Sequence, residues 1–334
     1  MEKKEDMSVE INKIYNEDCF DYIKKIKTES INVCITDPPY MNVVNEEWDK
    51  QWKSIDEYTE WSKIWIKEIS RVLKKSGSFY IFGYPYQLSK LLPIIENEGF
   101  KFRQDIVIWK GMKSAAGRVS DKLKMFPTTT EHIYTFVKNS NEYTKTLLQE
   151  GAKRKKLTPK QINEYLGKSS NGGGTWSTLA GQNQKRLNEP TRVDWEKLSI
   201  LFDGLPNYDD VVYKFNLPMG LTDVFDDINF YIPKERKFHP TQKPIELINR
   251  LVKCSSDEND TIIDPFMGSG TLAVSCSKLN RNFLGCEKDI NFFNICNLRL
   301  GTNDEYMLPI KKKVKKENII SEVTEKNEFE DINE

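Results

Sequence analysis

Ile31-Asn32-Val33-Cys34-Ile35-Thr36-Asp37-Pro38-Pro39-Tyr40 runs from an apolar segment straight into an acid, two prolines and an aromatic ring. A short apolar run of this kind reads as a buried strand, and open α/β sheets place their chemistry at the carboxyl ends of such strands. Consecutive prolines fix φ and remove two backbone donors, so the loop is stiff and the Pro38 carbonyl can accept a hydrogen bond. A carboxylate beside that carbonyl makes a pair of acceptors suited to an NH2 group, and Tyr40 offers a flat face for a planar ring. A strand that ends in a proline turn with a surface acid fits the same residues.

Working outward, Thr261-Ile262-Ile263-Asp264-Pro265-Phe266-Met267-Gly268-Ser269-Gly270-Thr271 reads as strand, glycine turn and helix start, with Leu272, Ala273, Val274 and Leu279 continuing as an apolar face. A lone Gly-x-Gly is weak, since any tight strand-to-helix turn can use it. Asn282 to Cys286 looks like the next strand, and Glu287 then lies about 20 residues beyond the first glycine, where nucleotide-type folds place a carboxylate on ribose hydroxyls. Turn and acid together read as a site for an adenosine-containing cofactor.

With these two segments the chain resembles the amino-methyltransferases of DNA that use S-adenosylmethionine, whose signatures are Asp-Pro-Pro-Tyr and Phe-x-Gly-x-Gly. Here they stand at Asp37 to Tyr40 and Phe266 to Gly270, the catalytic motif first and the cofactor loop more than two hundred residues later. This order is that of the circularly permuted beta class, as is His239-Pro240-Thr241-Gln242-Lys243-Pro244, which leads into a helix with Ile245, Ile248, Leu251 and Val252 on one face. The resemblance implies a Rossmann-like α/β methyltransferase sheet, circularly permuted, with an inserted target-recognition region. It implies catalysis by Asp37, Pro38, Pro39 and Tyr40. It also implies cofactor contacts by Asp18, Asp37, His239, Thr241, Gln242, Lys243, Asp264, Phe266, Gly268, Ser269, Gly270, Thr271 and Glu287. Asp18 is an acid near a helix start as well, where the helix dipole favours one whatever its role.

The same resemblance implies double-stranded DNA as partner and a base swung out of the duplex, since a stacked amine is not open to in-line attack. Asp in the first motif position goes mainly with N6 of adenine, Ser with N4 of cytosine. Adenine is therefore expected, with cytosine N4 as the alternative and a non-catalytic DNA-binding subunit as the reading from another class. A restriction-modification or DNA-marking role, a cognate endonuclease and a homodimer are further implications.

Composition sets the remaining bounds. The chain has 334 residues, 38% hydrophobic, with 50 basic and 50 acidic side chains. That is enough for one large α/β domain with a smaller insert. No apolar run approaches the roughly 18 residues of a membrane span, and the charged start lacks a signal-peptide core. Six scattered cysteines without a Cys-x-x-Cys pair read as reduced thiols of a cytoplasmic protein, and no metal site is expected with only His132 and His239 available.

Strands are expected at 11–15, 78–82, 102–109 and 131–137, the last two as an antiparallel hairpin, and helices at about 61–73 and 87–97. In the second of these helices' predecessor, Trp61 and Trp65 repeat at core spacing. The segment between Lys110 and Pro127 is long for a hairpin turn and carries Lys113, Arg118, Lys122 and Lys124; it suits a basic flap or a plain surface loop. A compositional change marks 140–238 as the region expected to read DNA. It contains Lys153-Arg154-Lys155-Lys156, a helix capped by Thr158, Pro159, Gln161 and Gly167, and an exposed Trp176. The solvated charge run is the alternative for those four cations. The expected division is 1–139 for the catalytic half, 140–238 for target recognition, 239–305 for the cofactor half and 306–334 for a charged, disordered tail.

Overall fold

The short apolar run along 31–36 produces a strand buried on both faces, which lies between the strands Leu73–Gly83 and Thr261–Asp264 in the sheet. The computed structural model describes residues 9–41, 50–111, 124, 126–138, 140–169, 174–181, 188–230 and 242–301. Its first half comprises β1 (Lys13–Tyr15), α1 (Cys19–Lys24), β2 (Ile31–Thr36), α2 (Ile55–Val72), β3 (Leu73–Gly83), α3 (Pro85–Asn97), β4 (Phe100–Trp109) and β5 (Thr130–Lys138). A helical segment follows: α4 (Ser140–Lys155), α5 (Pro159–Leu166), α6 (Gly174–Leu179), α7 (Arg192–Phe202) and α8 (Tyr208–Val211), with β6 (Val224–Phe225) after it. The chain then returns to the sheet through α9 (Ile245–Ser255), β7 (Thr261–Asp264), α10 (Thr271–Lys278), β8 (Asn282–Cys286) and α11 (Ile290–Gly301).

The strand order is β1-β8-β7-β2-β3-β5-β4-β6. Every described pairing is parallel except those of β5, which runs against both β3 and β4. The expected hairpin of β4 and β5 is present, but β5 inserts between β3 and β4, a placement that periodicity does not encode. The two-residue β6 at the edge carries no sequence signal either.

From Val33 to Ile35 successive side chains of β2 feed opposite layers, and a register irregularity between Ile31 and Val33 puts Ile31 in the layer of Cys34. Val33 and Ile35 join Leu247, Leu251, Leu272 and Ala273 from α9 and α10. Ile31 and Cys34 join Tyr22, Trp65, Ile66, Ile69 and Leu88 from α1, α2 and α3. Helices on both faces of a mostly parallel sheet are the α/β architecture expected. The α4–α8 helices bury their own cluster, with Leu148, Ile162, Trp195, Leu198 and Phe202 within it. Among the described residues no helix is long and apolar enough to cross a membrane. All six cysteines are buried and unpaired.

Two expectations need correction here. Trp176 is buried at 7% exposure, its ring against Phe202 and its backbone N–H donating to Asn163 Oδ1 at 2.9 Å. Helix α6 therefore turns Trp176 into the small core, not toward a groove. Of the basic cluster, Arg154 donates to the Phe202 and Asp203 carbonyls and Lys155 pairs with Asp203, so these two close the end of α7. Lys153 and Lys156 are exposed and meet no acid among the described residues. Lys113 and Arg118 lie outside the described residues, as does the 306–334 tail.

Candidate active site

Parallel pairing of β2 with β7 and of β7 with β8 brings three strand ends to one edge, and the antiparallel β5 starts at that edge. Asp37 follows β2, Asp264 ends β7, Glu287 follows β8 and Glu131 stands near the start of β5. Residues more than two hundred positions apart thus share one surface.

At its centre is a buried charged cluster. The Lys243 ammonium lies 2.6 Å from Asp37 Oδ2 and 2.8 Å from Glu131 Oε1. Tyr40 donates its hydroxyl to the other oxygen of Asp37 and stands 3.0 Å from Glu131 Oε1. Burial pushes Asp37 above the usual carboxylate range, against the pull of Lys243 and with a further push from Glu131. Burial acts the same way on Glu131, but Lys243, Lys110 and the Tyr40 hydrogen bond together hold it below that range. Two carboxylates sharing one cation divide in this manner because their like charges oppose joint ionisation. Desolvation by itself would lower Lys243, yet the two carboxylates raise it, so it stays an ammonium.

The Tyr40 ring is 6% exposed and meets Tyr84 edge-on at 5.4 Å between centroids. Its backbone carbonyl accepts from the Gln87 side chain at 3.0 Å, which fixes the far end of the loop to α3. At the near end Thr36 donates its hydroxyl to Asp264 at 2.7 Å, tying the roots of the two signature loops together.

The glycine turn is built from the next strand. Gly268 and Gly270 have φ of 58° and 80°, the left-handed region where a Cβ is unfavourable. Gly268 donates its N–H to Glu287 Oε2 at 2.8 Å, and Asp289 donates its N–H to Oε1 at 2.9 Å. Burial lifts both Glu287 and Asp264 to about 7, opposed by these amides in the first case and by Thr36 and Phe266 in the second. Phe266 packs on Trp61 and Trp65 of α2, with centroids 5.6 and 5.4 Å apart. Asp18 caps α1 through the Phe20 N–H at 3.0 Å and pairs with Lys288 at 2.9 Å, which brings it beside Glu287. The structure shows Asp18 as the helix cap of α1.

Gln242, Ser269 and Thr271 are nearly buried beneath the turn. The Ser269 hydroxyl is 3.1 Å from Gln242 Oε1, and Arg299 reaches the Ser269 carbonyl at 2.6 Å and the Thr271 hydroxyl at 3.2 Å. Arg299 was not anticipated. Its signal is the spacing Phe292, Cys296, Arg299, the buried positions of α11 at i, i+4 and i+7. Glu131 has no such signal, being one acid at the edge of an apolar strand. His239 and Thr241 lie outside the described residues.

The raised carboxyls have a consequence for stability. Asp264 and Glu287 titrate near 7 when folded and near 4 when unfolded, so between those values the folded state binds more protons. Stability contributed by these groups is therefore present at low pH and lost as pH rises through 7. Thermal melts of the ligand-free protein should give a Tm that climbs from about pH 7.5 to about pH 5.5, with Glu287→Gln flattening the trend. A Tm that falls steadily over that window contradicts the assignment.

The arrangement joins a cation-bridged acceptor pair to a glycine turn with a carboxylate at its side. A family model described as DNA methylase matches residues 31–298, and the chain belongs to that family. The Type II methyltransferase M1.MboII of Moraxella bovis is 27% identical over 302 residues, covering 88% of this chain and 98% of that protein. M.HindIII of Haemophilus influenzae is 26% identical over 336 residues, covering 87% and 96%. Among solved structures, the M1.HpyAVI–SAM complex superposes with a TM-score of 0.50 at 20% identity, covering 86% of this chain and 98% of that one. The cytosine-N4-specific PvuII DNA methyltransferase gives 0.57 at 14%, covering 94% and 92%. At these identities the superpositions establish a shared fold.

Proposed function

We propose that the chain is a beta-class DNA methyltransferase that transfers a methyl group from S-adenosylmethionine to N6 of adenine within a short duplex site. The observation that supports this reading is the Thr36–Asp264 hydrogen bond, which ties the strand end before the Asp-Pro-Pro-Tyr loop to the strand end before the turn of Gly268 and Gly270. The turn fits the proposed cofactor, since the left-handed Gly268 carries no side chain, Gly270 lets Cys296 of α11 pack against the turn, and Glu287 stands beside Gly268 where ribose hydroxyls would need an acceptor. When bound, S-adenosylmethionine supplies an electrophilic methyl on a positively charged sulfur.

The protein's part is to receive the base and aim its nitrogen. Asp37 and the Pro38 carbonyl accept the two amino hydrogens, which draws the nitrogen toward tetrahedral geometry and directs its lone pair. The same acceptors stabilise the cationic amine as it forms, in a site with little competing water. Orientation provides much of the rest. Tyr40 supports the base with its ring.

Sequencing of DNA from a methylation-free host that expresses the chain, with detection of modified bases, tests the reading. N6-methyladenine in one short motif is expected; N4-methylcytosine would transfer the assignment to the other base, and no modification would remove it.

The α4–α8 region is the proposed target reader, with Lys153 and Lys156 as phosphate contacts. Replacing both by Ala should lower the slope of log affinity against log salt by about 2, since each lost contact holds back about one counterion. An unchanged slope returns them to the solvated surface. The Type II relatives make protection of host DNA in a restriction-modification system the inferred setting, which resistance of the expressing host's DNA to a nuclease cutting the same motif would establish. The inferred homodimer is open to light scattering, and the unpaired buried thiols support a cytoplasmic location.

A further inference from the structure

Lys243 belongs to the hexapeptide whose resemblance assigns it to the cofactor, yet its ammonium sits among Asp37 at 2.6 Å, Glu131 at 2.8 Å and the Tyr40 hydroxyl at 3.1 Å. Both oxygens of Asp37 are thus engaged, one by Lys243 and one by Tyr40. An incoming amine has to displace a donor. Both donors also reach Glu131 Oε1, Lys243 at 2.8 Å and Tyr40 at 3.0 Å, but only Lys243 carries a charge, and its transfer to the buried Glu131 keeps that ammonium paired. The three groups come from separate elements, the loop after β2, the strand β5 and the segment before α9.

The charge count gives the arrangement its use. Asp37 and Glu131 as carboxylates against the Lys243 ammonium leave these three groups with one net negative charge, and Lys110 draws on Glu131 from outside them. Without Glu131, the charge of Lys243 would bear more heavily on Asp37. The acceptor would then be neutralised just as a cationic nitrogen forms beside it. We propose that Lys243 and Glu131 are paired positioning residues: Lys243 fills the amine position on Asp37 until the base arrives, and Glu131 then takes over the ammonium so that Asp37 faces the nitrogen with its charge intact. This rests on Asp37 being the amine acceptor.

Methyl transfer by the full chain to duplexes carrying its motif, measured for Glu131→Gln, Lys243→Met, the double variant and Asp37→Ala, tests the pairing. Glu131→Gln should lower kcat by about 10- to 100-fold, in the range of coupling between groups in contact, with S-adenosylmethionine affinity unchanged by calorimetry. The double variant should recover most of that loss, because it removes the ammonium that Glu131 no longer balances. Lys243→Met should move the acid limb of the kcat profile to higher pH, as Asp37 loses its cation while Glu131 and Asp264 still repel its charge. A double variant no faster than Glu131→Gln, or an acid limb that stays in place, overturns the proposal. So does a Lys243→Met enzyme with normal kcat and weakened cofactor binding. Full activity of Asp37→Ala would instead show that the Asp37 assignment itself is wrong.

Discussion

Purified Asp37→Ala is expected to lose about 10²- to 10³-fold in methyl transfer, the usual cost of removing one electrostatic partner from a developing charge. The fold should survive. The loop keeps its root through Thr36 and Asp264, its far end through Gln87, and Lys243 retains Glu131 as counter-ion. Near-wild-type transfer by a protein with an ordinary melting curve would refute the role given to Asp37. Asp37→Asn keeps the shape while losing the charge, so it should fall in the same range if charge is what matters.

Gly268→Val should weaken S-adenosylmethionine binding by roughly 10- to 100-fold, since a β-branched residue at a φ of 58° is strained by about 1–3 kcal/mol. Relief of that strain moves the Gly268 amide away from Glu287, which it meets at 2.8 Å, and so displaces the carboxylate beside the turn. DNA affinity should change much less, because the turn and the α4–α8 helices are built from different segments. Calorimetry with the cofactor and a binding titration with duplex DNA separate the two. Equal cofactor affinity in wild type and variant would mean that the site lies elsewhere.

Much of this was legible in the sequence because local rules and global fold agree there. The strand at 31–36, the turn at 264–271 and the helix at 245–255 each have one compatible periodicity, and motif residues mark the ends that matter. What stayed hidden depends on tertiary placement. Glu131 and Lys243 have no relation in spacing to Asp37, and only the insertion of β5 beside β3 brings the first of them to the site edge. Trp176 was misread because a glycine-rich, polar neighbourhood suggests a surface loop, whereas α6 folds its indole against Phe202. Arg154 and Lys155 look like free cations until α7 ends beside them.

The sheet pairs the first strand with the last, β1 with β8, and joins β2 to β7 at its middle. Contacts so distant along the chain are slow to form, because the connecting loop must be closed before they repay its entropy. During synthesis from the amino terminus, β2 is made early and then waits with one edge bare until β7 leaves the ribosome. The sheet is thus completed only once β8 has been made, and no growing chain that stops short of Glu287 can contain the whole site.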